Sequence, residues 1–200
     1  MNEIKDKTIF SNGLAGKTYR LEAFTEKHKK GLWDAASNSE IWEFSRSDSQ
    51  SLEEYILEWY TSMLNMQKMG TRFMYVVIEN ASNKIVGSSS YYDISIHDLR
   101  VAIGFTWYHP DVWGKGVNPE VKYLMLSQVF DKLKWNRVEF HVDSRNERSI
   151  SAMKYLGATQ DGVLRLHKRV QCDFIRDTVL LSIVEPDWPE IIEKIATRLI

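Results

Sequence analysis

Residues 113–120 read Trp-Gly-Lys-Gly-Val-Asn-Pro-Glu, and the apolar run Val101 to Tyr108 leads into them. Two glycines one residue apart let the backbone turn sharply and approach a ligand closely. Asn118 suits a helix cap, Pro119 the first helical position and Glu120 the first turn. The spacing of Val121, Leu124, Met125, Val129 and Leu133 carries the helix to about Lys134. A helix start presents amides without acceptors and the positive end of the dipole. The strand–turn–helix is therefore suited to an anion, phosphate above all, and Lys115 adds a mobile positive charge. Two better-known phosphate motifs are excluded: Pro119 stands where the dinucleotide fingerprint needs glycine, and Val117 where Walker A needs lysine. Taken alone, the loop also fits an ordinary turn that binds nothing.

The period of the apolar residues orders the rest of the chain. Tyr19 to Phe24 alternates as a first strand, preceded by a loop or loose arm at 13–16. Thr25 opens a helix to about Ala36. Ser51-Leu52-Glu53-Glu54 forms a capping-box start for a second helix, to about Lys68. Phe73–Ile78 and 85–92 form a hairpin about the turn at 80–84. After the glycine loop and its helix come a strand at Arg137–Val142, a helix at Arg148–Leu156 ended by Gly157, and a last hairpin at Val163–Arg169 and Ile175–Ile183. A final helix covers Trp188–Leu199. The central strand–helix–strand implies a right-handed crossover between parallel neighbours. The expected fold is a single α/β (α+β) domain: a mixed, mostly antiparallel sheet flanked by helices on both faces, with splayed central parallel strands.

Composition narrows the function classes. With 26 Lys plus Arg against 27 Asp plus Glu, the net charge of −1 gives no footprint for nucleic acid or a polybasic membrane patch. No apolar stretch is long enough for a bilayer, and the polar start Met1–Lys7 carries no signal-peptide core. One cysteine, Cys172, rules out an internal disulfide and a cysteine-based zinc site. A cytoplasmic protein without a metal is expected, as a monomer or homodimer.

With the glycine loop after the fourth strand, this order resembles the GNAT superfamily of N-acetyltransferases over about residues 17–184. The family signature Gln/Arg-x-x-Gly-x-Gly/Ala is met at Gly114 and Gly116, with Asp111 in its first position. The longer run Ile103-Gly104-Phe105 through His109-Pro110-Asp111-Val112-Trp113-Gly114-Lys115-Gly116 is similar to the branch of ribosomal-protein N-terminal (alanine/serine) acetyltransferases. That branch has one residue fewer between Ile103-Gly104 and Trp107, so a bulge is expected here. A second signature, Asn146-Glu147-Arg148-Ser149 closing in Leu156-Gly157-Ala158, agrees. The resemblance implies an N-terminal arm at 1–16, an acetyltransferase domain at 17–184, and a C-terminal helix at 185–200 packed on the domain or at a subunit interface.

The resemblance further implies acetyl-coenzyme A as cosubstrate. Its pyrophosphate would sit on Gly114, Lys115, Gly116, Val117 and Asn118. Phe105, Thr106 and Trp107 would pair with the pantetheine arm like an added strand. Asn146 would bind the coenzyme or cap its helix. The acceptor would be a primary amine, either a protein N-terminal α-amine or a small amine. Many relatives donate a proton to the thiolate from a Tyr where Met153 stands, so Ser149 is the candidate donor, with helix capping as its other role. Asp93, His97, Glu139 and His141 are candidates for the general base. Glu139 and His141 share one strand face. The alternatives are a non-catalytic acetyl-coenzyme A-binding module, a transferase using another acyl-coenzyme A, and a nucleotide-binding regulator.

Overall fold

A computed structural model of the protein describes residues 7–44, 51–170 and 174–197, and Cys172 and Leu199 lie outside them. The strands are β1 (Leu14–Ala15), β2 (Tyr19–Ala23), β3 (Arg72–Glu79), β4 (Ile85–Ser95), β5 (Arg100–Tyr108), β6 (Arg137–Asp143), β7 (Thr159–Val170) and β8 (Phe174–Val184). The helices are α1 (Lys29–Ala36), α2 (Leu52–Lys68), α3 (Val117–Ser127, continued by a π-helical turn over Gln128–Lys132), α4 (Glu147–Leu156) and α5 (Trp188–Ala196). One sheet orders the strands β1-β2-β3-β4-β5-β6-β8-β7. Every pair is antiparallel except β5 with β6, the pair joined by the crossover through α3.

Alternation of side chains across the pleat divides the core in two. On one face Tyr75, Tyr91, Val101, Ile103, Val138 and Phe140 pack against Val121 and Met125 of α3, Met153 and Leu156 of α4, and Ile191 and Ile195 of α5. On the other, Met74, Val76, Ile78 and Trp107 pack under Leu32 of α1 and Ile56, Tyr60 and Met63 of α2. Ser51 caps α2 and Glu54 returns the bond to the Ser51 amide, as the capping box requires. Gly157 closes α4 in the left-handed conformation.

The stretch at 13–16, expected as a loop or loose arm, carries β1, and Phe10 ahead of it is packed as well. Phe10 is buried against Tyr91 and Trp135, Tyr75 donates its hydroxyl proton to the Phe10 carbonyl, and β1 pairs with β2. The last hairpin is also longer than its apolar pattern suggests: β7 is an edge strand, exposed along most of its length, and offers little hydrophobic periodicity. α5 docks on the first core, with Trp188 donating to Asp131 Oδ1 at 2.7 Å. Among the described residues no helix is long and apolar enough to cross a membrane.

Candidate active site

Three features converge where β5 ends. The first is the glycine turn. Gly114 (φ +73°) and Gly116 (φ +78°) both adopt the left-handed conformation, and a Cβ on either would meet no heavy atom within 4 Å. The turn is therefore open on the side a ligand would approach. Gly116, not Asn118, is the N-cap of α3. Pro119 thus sits in the third helical position, where its missing N–H still costs no helical bond. The Asn118 Oδ1 accepts from the Tyr108 hydroxyl at 3.2 Å, tying the loop's two ends together. Arg148 of α4 lies across the loop, its guanidinium 4.4 Å from the Trp113 ring centroid. Lys115 lies within the turn itself, between the two glycines.

The second feature is a wedge in the sheet. β5 and β6 pair only at Arg100–Arg137, Val101–Val138 and Ala102–Glu139. Beyond Ala102 they part, and the β6-facing edge of Ile103–Tyr108 lacks a partner strand. The expected bulge lies here. Ser90 pairs with Gly104 and Ser88 with Trp107, so β5 spends one residue more than β4, and Phe105 takes φ +52°. A one-residue insertion moves every later side chain to the opposite face. Phe105 and Trp107 consequently point towards α1 and α2, and Thr106 and Tyr108 towards α3.

The third feature is the polar and aromatic lining on the α1/α2 side. The Phe105 ring lies 5.0 Å from Tyr92, and Tyr92 lies 5.9 Å from His141. His141 Nε2 is 3.2 Å from Glu139 Oε2, and Glu139 Oε1 accepts from Arg137 Nε at 2.8 Å. When Nε2 carries the ring proton, Nδ1 keeps a lone pair for an incoming proton. His167 approaches to 6.2 Å of His141 because β7 bulges at Leu166 (φ +47°), whose amide donates to Asp177 Oδ1. Burial, then Lys168 and His141, press the His167 pKa below its ordinary value. Arg72 is 2% exposed; its Nε donates to Ser90 Oγ and its guanidinium lies 3.3 Å from the Phe105 ring centroid. Trp42, Trp59 and Trp107, with centroids 5.5–5.8 Å apart, close this side.

The acetyltransferase (GNAT) domain model matches residues 19–159. The chain belongs to this family. An uncharacterized N-acetyltransferase, p20, of Bacillus licheniformis is 25% identical over 125 residues, 62% of this chain and 68% of that protein. A GCN5-related N-acetyltransferase from Brucella melitensis superposes with a TM-score of 0.85 at 23% identity, covering 95% of this chain and 86% of that one. RimJ of Mycobacterium smegmatis, solved in complex with CoA-disulfide, superposes with a TM-score of 0.78 at 13% identity over 95% and 96% of the two chains. These two likenesses are of fold.

The GNAT fold uses acetyl-coenzyme A, and the residues of this chain suit that molecule. The open glycine turn leaves room for phosphate, and the unpartnered edge of β5 leaves backbone groups for a peptide-like arm. The expected residues divide accordingly. Phe105, Thr106, Trp107, Gly114, Lys115, Gly116, Val117 and Asn118 all line the end of β5 or the turn after it. Asn146 is the N-cap of α4: its Oδ1 accepts from the Ser149 amide at 2.9 Å. Ser149 therefore does not cap the helix. Of the candidate bases, Asp93, near the end of β4, accepts from Arg100 Nη1 at 3.2 Å, and His97 lies exposed beside Asp98 in the turn between β4 and β5. Glu139 and His141 are the pair brought to the wedge. Arg72, Tyr92, Arg148 and His167 were missed from sequence. Each looks like an ordinary strand or helix residue there, and only the tertiary fold assembles them; Arg148, one residue before Ser149 in the second signature, alone carried a local signal.

Proposed function

We propose that this acetyltransferase moves an acetyl group from acetyl-coenzyme A to a primary amine, a protein N-terminal α-amine or a small amine, by direct attack on the thioester. The observation that carries this is the parted β5–β6 edge with the His141–Glu139 pair on its α1/α2 side. Gly114, Gly116, Val117 and Asn118 supply amides for the pyrophosphate, with Lys115 and Arg148 supplying charge. The backbone of Phe105–Trp107 pairs with the pantetheine arm, and an amide from the same stretch faces the oxygen on which charge develops. Acetyl-coenzyme A supplies the activated acyl carbon.

His141 takes the proton that the attacking amine must lose, and Glu139 holds the imidazole in the tautomer with Nδ1 open. Such a base contributes roughly 10²–10⁴-fold. The aromatic wall of Trp42, Trp59 and Trp107 shields the amine from water. The similarity to the ribosomal-protein branch favours an N-terminal α-amine among the possible acceptors. An amine and peptide panel with free-thiol detection tests the proposal. Release of thiol that depends on the acceptor, and a kcat lowered about 10²-fold in His141→Gln with an unchanged KM for acetyl-coenzyme A, is the expected outcome. Tight coenzyme binding with no thiol released by any amine would leave a binding module in its place.

A further inference from the structure

One buried charge has no part in the chemistry above. Lys122 on α3 is 2% exposed and turned to the sheet. Its Nζ donates to Thr106 Oγ1 at 2.8 Å and to Ser89 Oγ at 3.3 Å, and the two hydroxyl oxygens are 2.8 Å apart. Glu120, Tyr91 and Tyr108 on this face are engaged elsewhere. Glu120 accepts from the Thr18 and Tyr19 amides, the Tyr91 hydroxyl donates to the Met125 carbonyl, and the Tyr108 hydroxyl donates to Asn118. Among the described residues no carboxylate pairs with Lys122. A buried ammonium without a counter-ion is costly, and an apolar side chain of the same length would pack more cheaply. The charge is kept behind Thr106, in the bulged stretch of β5 that lacks a partner strand.

The hydroxyl triangle has a direction. Ser89 is fully enclosed. It accepts from Lys122, so its own proton can go to Thr106. Thr106 then accepts from both neighbours, and its remaining proton is left to point out of the triangle. Burial alone pushes the Lys122 pKa down, to about 7, so the ammonium gives up a proton easily. Met153 has no proton to offer, and among the described residues no charged group is bonded to Ser149.

We propose that Thr106, backed by Lys122, delivers the proton taken up by the departing thiolate of coenzyme A. The inference rests on the coenzyme reading of the wedge. As the amine nitrogen bonds to the acyl carbon, the carbon–sulfur bond breaks and its electron pair stays on sulfur. Thr106 Oγ1 gives its proton to that sulfur and takes one from Lys122 Nζ. His141 receives the proton lost by the amine. Once the thiol has left, Lys122 recovers a proton from solvent through Thr106, and His141 returns one to solvent. Thr106 is the catalytic residue and Lys122 the charge acting through it.

The test needs no known acceptor. The thiol of bound coenzyme A is titrated by the ultraviolet absorbance of its thiolate in the wild type, Lys122→Met and Thr106→Val. An ammonium relayed through Thr106 lowers the thiol pKa, so the wild type should titrate about one unit below either variant, with the coenzyme A affinity of Lys122→Met within a factor of about two. Lysine-resolved NMR of the free protein should show one ammonium, absent from Lys122→Met, titrating far below the others. With any amine that turns over, kcat should fall at alkaline pH as Lys122 loses its proton. That limb should vanish in both variants and persist in Ser149→Ala, and kcat should drop about 10²-fold. The double variant should be no slower than either single one. Identical thiol titration in wild type and variants overturns the proposal while leaving the coenzyme site standing. Failure of coenzyme A to bind the wild type overturns both. Thr106→Val carries the comparison if Lys122→Met does not fold.

Discussion

Gly116→Ala separates what the loop does for folding from what it does for the ligand. Gly116 has φ +78° and open space around its missing Cβ, so alanine there meets no clash. Only the left-handed strain remains, about 1 kcal/mol, which lowers Tm by about 3 °C in a chain of this size. Coenzyme A should suffer far more, because the added methyl projects into the space where phosphate would meet the α3 amides. A loss of tenfold or more in affinity, about 1.4 kcal/mol, is expected. Gly157→Ala is the control with the opposite signature. There φ is +105° and the new Cβ would lie 2.7 Å from Ile191 Cγ1, so strain and overpacking together cost about 2–4 kcal/mol. Tm should fall by about 10 °C, with affinity intact below the transition. Thermal unfolding and calorimetric titration with coenzyme A read both quantities. If Gly116→Ala binds coenzyme A as the wild type does, the turn is not the phosphate cradle.

Three other perturbations address separate parts of the molecule. Arg148→Ala should weaken coenzyme A about fivefold at low ionic strength and progressively less as salt screens the contact, measured by titration across salt concentrations. Glu120→Ala strips the buried acceptor from the Thr18 and Tyr19 amides, bonded at 2.7 and 3.2 Å; unfolding in denaturant should show a loss of about 3 kcal/mol. Glu22 is held at a pKa of about 2, chiefly by Lys27 and then Arg20. A depressed carboxylate stabilises the fold fully above its ordinary value of 4.5, and that contribution is lost as pH falls towards 2. These partly exposed ions are screened, so Glu22→Gln should remove about 1 kcal/mol of stability at neutral pH and flatten the acid limb of Tm against pH.

The parts of this chain that could be read in advance are those set by local chemistry. The capping box at Ser51–Glu54, the glycine stop at Gly157 and the two-residue alternation of β2, β3 and β6 act over a few neighbours, and these appear where the pattern places them. The start of α3 is the instructive miss. Pro119 fits any of the first helical positions, because none of those amides has a helical acceptor. Proline therefore locates the beginning of a helix only to within a turn, and the φ of Gly116 decides it. The acceptor side is a different case, since Arg72, Tyr92, His141 and His167 come from four strands and no local rule joins them.

Between these extremes lies the bulge. Counting residues between Gly104 and Trp107 exposes one too many, and an extra residue in a paired strand must bulge. What the count cannot tell is where the strand absorbs it. Had the insertion been taken up after Trp107, Trp107 would face α3, and Thr106 would lie under α1 and α2, away from Lys122. Placed at Phe105, it sends Trp107 into the aromatic wall with Trp42 and Trp59 and delivers the Thr106 hydroxyl to the buried ammonium. Both sides of the wedge thus depend on a single backbone angle. Deleting Phe105 takes out the residue that doubles up, so β5 should alternate regularly with Thr106 still facing Lys122 and Trp107 still facing Trp42 and Trp59; only the Phe105 ring beside Tyr92 and Arg72 should be lost, with the phosphate turn at Gly114–Asn118 left in place.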